Sequence, residues 1–207
     1  MKQFDENFKQ RLRTAVEDIE KNSLIEIVTI VRPRSESYRD VPLWWGVFFM
    51  FVTFTVMMFV PFVFGDYTFY AAVLFSFFGG LIGAWLFIPM QRPLISKQRM
   101  EKNVEIMARA IFQKAGIRKT NAKIGTLIFV SVFEQKVCIL PDDGAKMAVP
   151  QEDWDSLNLN LNSIFKAKNP ADALIGQLKI CKSIFSSYIP PIENDINELP
   201  DDLEVDL

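Results

Sequence analysis

The 207 residues hold no histidine, only two cysteines, and a near balance of charge, with 23 Lys and Arg against 25 Asp and Glu. The missing imidazoles exclude His-containing zinc sites, Ser-His-Asp triads and Cys-His dyads. The slightly negative balance offers nucleic acid no general field of attraction, so no nucleic-acid partner is expected.

The opening Met1-Lys2-Gln3-Phe4-Asp5-Glu6-Asn7 is too polar and acidic for the core of a secretory signal, so export by a cleaved signal is not expected. Phe4, Phe8, Leu12, Ala15 and Ile19 recur at helical spacing among charged residues and predict an amphipathic helix. Leu24 to Val31 follows as an Ile- and Val-rich strand, apolar on both faces except for Glu26 and Thr29, which places it inside a sheet.

From Val41 to Met90 the only charged side chain is Asp66. Two apolar runs, 41–64 and 68–90, are each long enough at ~1.5 Å per residue to cross a hydrocarbon core of roughly 30 Å. Gly65, Asp66 and Tyr67 alone separate them, which predicts an antiparallel transmembrane hairpin, with Pro61 kinking the first span near its outer end. Arg32, Arg34 and Arg39 precede the pair and Arg92, Lys97, Arg99 and Lys102 follow it, whereas the connection has no basic residue. The positive-inside rule then puts both flanks in the cytoplasm and Asp66 outside, making this a multi-pass inner-membrane protein with both termini cytoplasmic. Trp44, Trp45 and Trp85 fall at one interface, Tyr67 and Tyr70 at the other.

The second span carries Ala72, Ser76, Gly80 and Ala84 at intervals of four, with Gly79 and Gly83 beside them. Such a face lets a helix approach closely, either the chain's own first span or that of a second copy in a homo-oligomer.

Beyond the membrane, Met100, Val104, Met107, Ala108, Ile111 and Phe112 predict an amphipathic helix stopped near Gly116. Ile124–Phe133 and Gln135–Leu140 predict an antiparallel β-hairpin with at most Glu134 between its strands. A helix starting near Pro150 presents Trp154, Leu157, Leu161, Ile164 and Phe165 on one face. Another opens at Asn169-Pro170 and ends before Pro190-Pro191. Cys138 and Cys181, without other soft ligands, read as small buried hydrophobes.

A helix in the connection between the first two strands makes them parallel. The expected fold is α/β, an α/β/α sandwich with a small mixed sheet, interrupted by the inserted transmembrane hairpin. Its parts are residues 1–40 and 91–190 for the domain, 41–90 for the hairpin, and an extended acidic tail, 191–207. The segment Arg32–Arg39 spans at most ~26 Å fully extended, so the domain is expected close to the inner membrane surface.

Several strings together carry a resemblance. They are Ile25-Glu26-Ile27-Val28, Ser37-Tyr38-Arg39-Asp40-Val41-Pro42-Leu43, Ile124-Gly125-Thr126-Leu127-Ile128-Phe129-Val130-Ser131, Asp142-Asp143-Gly144, Trp154 and Asn197-Glu198-Leu199-Pro200-Asp201. Over nearly the whole chain the sequence resembles the membrane-inserted branch of the TPM-domain family. That resemblance implies the same sandwich fold. The family includes thylakoid-lumen and photosystem II repair proteins and a modulator of acetylcholine receptors; some members are associated with acid phosphatase activity or with calcium. Two features depart from it: many relatives hold the domain outside the cytoplasm, and Tyr188 stands where a His is often found before the proline.

Asp142 and Asp143, next to Gly144 at a strand end, offer hard oxygens to Ca²⁺ or Mg²⁺, with Glu26 a candidate third carboxylate. The family pattern matches Asp142 and Gly144. The competing reading of Asp-Asp-Gly is a turn capped by its own side chains. Glu26, costly to bury alone, has pairing with Lys136 or Arg118 as its alternative. Tyr38, Arg39 and Asp40 are candidates for lipid head-group contact or for bracing the domain at the membrane, beside their role in topology. Two functions follow as expectations: a membrane-anchored, non-catalytic module binding a protein or a metal, and, as the alternative, a divalent-metal-dependent phosphomonoester hydrolase.

Overall fold

The computed structural model describes residues 4–120 and 122–191. The tail, 192–207, lies outside the described residues, as does the Asn197–Asp201 string. The chain divides into two compact units, Met1–Ser35 with Glu101–Leu207, and Glu36–Met100.

In the first unit, helix α1 (Glu6–Glu20) begins where Asp5 accepts the Phe8 N–H at 2.9 Å and buries Phe8, Leu12, Val16 and Ile19. Strand β1 (Glu26–Arg32) pairs in parallel with β2 (Gly125–Ser131), which pairs antiparallel with β3 (Lys136–Pro141). The sheet order is β1-β2-β3, so β1 is an edge strand, not an interior one. Its two-sided apolar pattern has another cause, because both faces are covered by helices. On one face Ile25, Ile27, Val31, Ile128 and Val130 pack with α1, α6 (Gln151–Asn162) and α7 (Pro170–Tyr188). On the other, Val28, Ile30, Leu127 and Phe129 pack against Val104, Ala108, Ile111 and Phe112 of α4 (Lys97–Lys114) and against Ile117. This is an α/β fold with a small mixed sheet between helical layers.

Both sheet edges are guarded by side chains. Glu20 accepts the Ile27 N–H at 3.0 Å, and the Asn162 carboxamide binds both the N–H and the C=O of Val137, at 3.0 and 2.9 Å. These bonds occupy groups that would otherwise recruit another strand.

Helix ends follow local chemistry. Asn169 accepts the Ala171 N–H ahead of Pro170, and Gly116, with φ 69°, takes the left-handed conformation past α4. The β2–β3 loop is longer than expected: register pairs Ser131 with Lys136, leaving residues 132–135 in the turn, with Gln135 at φ 52°. The Asp142-Asp143-Gly144 string is not a free turn. It opens a short helix, α5 (Asp143–Ala148), in which Gly144 has an ordinary helical φ. Glycine is needed there for space, since a Cβ would lie 2.3 Å from the Ala122 carbonyl oxygen and 2.8 Å from that of Lys123.

In the second unit, α2 (Asp40–Phe59) and α3 (Asp66–Leu86) are long and apolar enough to cross a membrane. They run antiparallel, with Gly46 against Phe77, Gly80 against Phe49, and Phe54 against Phe69. The expected spans shift. α2 stops at Phe59 because Val60, preceding Pro61, is extended; the proline ends the helix and does not kink it. The connection is therefore Val60–Gly65, and α3 starts at Asp66. It ends at Leu86, followed by a 3₁₀ segment, Ile88–Leu94, that accommodates Pro89 and Pro93.

Small residues on α3 have two fates. A Cβ on Gly80 would lie 2.8 Å from the Trp45 carbonyl oxygen and 3.2 Å from the Gly46 Cα, whereas Gly79 and Gly83 have nothing within 4 Å. Gly80→Leu is expected to lower the thermal stability of detergent-solubilised protein by about 1–3 kcal/mol, through overpacking. Gly79→Leu should leave it within about 0.5 kcal/mol. Equal melting of the two variants would remove the close-approach role of Gly80.

Candidate functional site

Glu26, Gly125 and Asp142 form one row across the sheet: Glu26 pairs with Gly125, and the Asp142 N–H donates to the Gly125 carbonyl at 2.8 Å. Both carboxylates are buried. Two strand spacings of ~4.8 Å separate their backbones, and the intervening Gly125 has no side chain. Ile117 occupies that gap, its Cγ2 lying 2.5 Å from where a Gly125 Cβ would stand. An apolar side chain thus stands over the strand between the two acids. Asp143, next to buried Asp142, is exposed in the first turn of α5. Among the described residues, no group of three His, Cys, Asp or Glu side chains is arranged to hold a metal. A three-carboxylate site from Asp142, Asp143 and Glu26 does not fit this arrangement.

Asp142 by itself is unusual. It is the N-cap of α5, yet its side chain makes no capping bond, so the self-capped turn is not formed. Its side chain is 2% exposed, and Oδ2 has no hydrogen-bond partner. The Arg118 guanidinium, 67% exposed, approaches Oδ1 only to 3.9 Å while lying over the Phe112 ring. A buried carboxylate oxygen left without a donor carries a desolvation cost of about 1–3 kcal/mol or more, which a water or a cation would relieve.

Residues around the start of α2 and at the start of α4 form a more complete constellation. Arg99 forks onto Asp40, with Nη1 to Oδ2 at 2.6 Å and Nη2 to Oδ1 at 3.0 Å, and Nη2 also donates to Glu36 at 2.8 Å. Its guanidinium stacks 5.1 Å above the ring of buried Tyr38, whose backbone sits at φ 44°, strained for an aromatic residue. The hydrogen bonds that Arg99 donates to Asp40 and then to Glu36 raise its pKa above its already high ordinary value. Of the three residues singled out from sequence, Tyr38 and Asp40 belong to this clasp, while Arg39 is exposed. Glu36 and Arg99 were not anticipated as partners, since 59 to 63 residues separate Arg99 from the acids it binds.

A second unanticipated cluster lies in the first unit. Buried Glu134 accepts the Ser35 N–H at 2.9 Å and the Ser131 hydroxyl at 2.5 Å, and the Ser35 hydroxyl donates to Ser131 Oγ at 2.9 Å. Together with Val132 N–H to Arg32 O and Phe133 N–H to Pro33 O, it pins the segment after β1 onto the β2–β3 turn. Neither thiol is poised for chemistry: burial pushes Cys138 up to about 11 and Cys181 up to about 12.

Along α3, Ser76, Gly79, Gly83 and Ala84 join Trp45, Phe49 and Phe87 around an apolar groove of about 510 Å³. Ala72 is partly buried on the same helix, and Ser76 returns its hydroxyl to the Val73 carbonyl.

This combination of a parallel-plus-antiparallel sheet, helices on both faces and a buried acid at the end of β3 can be compared with known proteins. Residues 94–180 match the family model of the TPM domain. The fold resembles the NMR structure of the BA42 protein from the psychrophilic bacterium Bizionia argentinensis, with a TM-score of 0.60 over 98% of this chain and 94% of that one. At 18% identity this similarity concerns the fold alone. No curated protein matches the sequence.

Removing the clasp should be measurable. Arg99→Ala is expected to cost roughly 1–2 kcal/mol, allowing about 0.2–1 for the solvent-screened ion pairs and 0.5–1 for stacking on Tyr38. Arg99→Lys should recover only part of this, because an ammonium cannot fork onto Asp40. A thermal melt identical to wild type for Arg99→Ala would make the contacts incidental.

Proposed function

We propose that the protein is a membrane-anchored TPM module that acts by binding a ligand or partner, not by hydrolysis. The observation that carries the anchoring is the outward apolar surface of α2 and α3. Trp44 is 69% exposed and Phe59 83%, with Phe51, Phe75, Phe78 and Trp85 also exposed. A water-soluble surface rarely presents so large an apolar patch, whereas lipid accommodates it. Tryptophans at one end of the hairpin and Tyr67 and Tyr70 at the other match the two interfaces. Basic flanks favour cytoplasmic placement of both long segments at the inner membrane.

For the ligand, the geometry favours Asp142. A weakly held Ca²⁺ or Mg²⁺ at Oδ2, with backbone oxygens completing its sphere, would relieve the buried orphan; Glu26 and Asp143 take no direct part in this reading. The hydrolase alternative draws less support. Phosphoryl transfer needs several cationic groups or metals around the phosphate, and Arg118 is the one guanidinium found at Asp142 among the described residues. Gly79 and Gly83, open on α3, are the residues that would admit a second copy in a homo-oligomer, and an unknown protein partner remains compatible with the binding role.

Calorimetry on the full chain in detergent tests the ligand. Wild type should bind Ca²⁺ or Mg²⁺ with a Kd on the order of 10⁻⁴ to 10⁻³ M, and Asp142→Asn should lose the heat while melting at or above the wild-type temperature. Identical titrations for the two proteins would remove the metal reading. Turnover of a phosphate monoester, lost in Asp142→Asn, would overturn the non-catalytic one.

A further inference from the structure

Within the hairpin unit, the apolar groove of about 510 Å³ along α3 has a length and an end that anchoring alone does not use. Gly79 and Gly83 leave its bed open, since a Cβ on either would have nothing within 4 Å. Trp45 and Phe49 of α2 line one side, their rings stacked 5.6 Å apart with 24° between the planes. From Ser76 to Phe87 the lining runs about 17 Å along the helix axis at 1.5 Å per residue. That is close to the depth of one leaflet, half of a hydrocarbon core of roughly 30 Å.

Because the two helices are antiparallel, the start of α2 and the Phe87 end of α3 share one end of the hairpin, and hydrogen bonds gather cations there. Gln91 donates to the Ala84 carbonyl, which brings the 3₁₀ segment and its Arg92 back beside the end of α3. Arg99 binds Asp40, which ties the first turn of α4, with Lys97, to the start of α2, with Arg39. Glu36 and Asp40 are already engaged by Arg99. Arg39 and Lys97 are exposed and have no carboxylate partner among the described residues. A second copy lying alongside in the same orientation would bring its own Arg39, Arg92 and Lys97 to this end, where like charges repel, whereas an anionic head group complements them.

We infer that the groove holds one anionic phospholipid of the cytoplasmic leaflet, with an acyl chain over Gly79 and Gly83 against Trp45 and Phe49, and the phosphate beside Arg39, Arg92 and Lys97. This rests on the membrane-anchored reading above. The bare glycine backbone and the aromatic side give a flexible chain close dispersion contact over a leaflet's depth. Charge then selects the head group, each basic residue near the surface favouring an anionic over a zwitterionic lipid by about fivefold. Because these contacts lie at the interface with water, salt weakens the selection.

The test is fluorescence quenching in the full chain reconstituted into phosphatidylcholine vesicles. Exposed Trp44 and Trp85 are replaced by Phe, so that Trp45 reports on the groove and buried Trp154 adds a constant background. Lipid brominated on its acyl chains is introduced either as phosphatidylglycerol or as phosphatidylcholine. Brominated phosphatidylglycerol should reach half-maximal quenching at about one-fifth or less of the mole fraction that brominated phosphatidylcholine requires. The preference should vanish in Arg39→Gln/Lys97→Gln and shrink at about 0.5 M salt, and Gly79→Leu, which fills the groove, should lower it too. Equal quenching by the two lipids would overturn the proposal while leaving the anchoring intact; no quenching by either would overturn the anchoring as well. Quenching by both that fades as the protein-to-lipid ratio rises would put a second copy in the groove and overturn the lipid. A preference that survives in Arg39→Gln/Lys97→Gln would overturn the assignment of the head group to these cations.

Discussion

Parallel pairing of Glu26–Arg32 with Gly125–Ser131 is the constraint on which the rest depends. Parallel neighbours cannot be joined by a tight turn; the chain must travel back along the sheet before the second strand starts. α4 provides that return, and Ile117 with the left-handed Gly116 closes it. The same obligatory crossover is where the two apolar helices are inserted. An antiparallel pair ends on the side where it began, so the insertion lengthens the crossover without redirecting it. Arg99 makes this explicit within the hairpin unit, binding Glu36 and Asp40 at the entrance from its own place at the exit.

That arrangement separates two kinds of polar burial. Glu134 is fully used: both its oxygens accept bonds from Ser35 and Ser131, and its burial fastens the segment that follows β1. Asp142 is buried to the same degree but has an oxygen without a donor. Satisfied networks rigidify, whereas incompletely satisfied ones point toward something that completes them. The contrast with Glu134, and with exposed Asp143, makes Asp142 a place to look for a ligand.

Features encoded over a few residues were legible in the sequence. The helical stripes, the Asn169-Pro170 start, the Gly116 stop and the apolar pair of helices each follow from periodicity or from one residue's backbone preference. What escaped depended on contacts between distant segments. β1 looked like an interior strand because two-sided burial and a central position leave the same apolar pattern; here helices, not flanking strands, supply the cover. Gly144 looked like a turn glycine, yet its reason is the close passage of the Ala122 and Lys123 carbonyls. Pro61 marks a kink only if the helix runs past it, and the restriction on the residue before proline stops the helix at Phe59 instead. The Arg99 clasp leaves no periodic trace in the sequence, since its acids lie 59 and 63 residues away.

The central claim is that a membrane hairpin interrupts one α/β domain and returns the chain to the side it left. Single cysteines replacing Asp66 and Arg34, both exposed, test it most directly when intact cells are treated with a membrane-impermeant thiol reagent. The account predicts labelling at position 66 and protection at position 34 until the membrane is opened. Labelling of position 34 in intact cells, with position 66 protected, would contradict it.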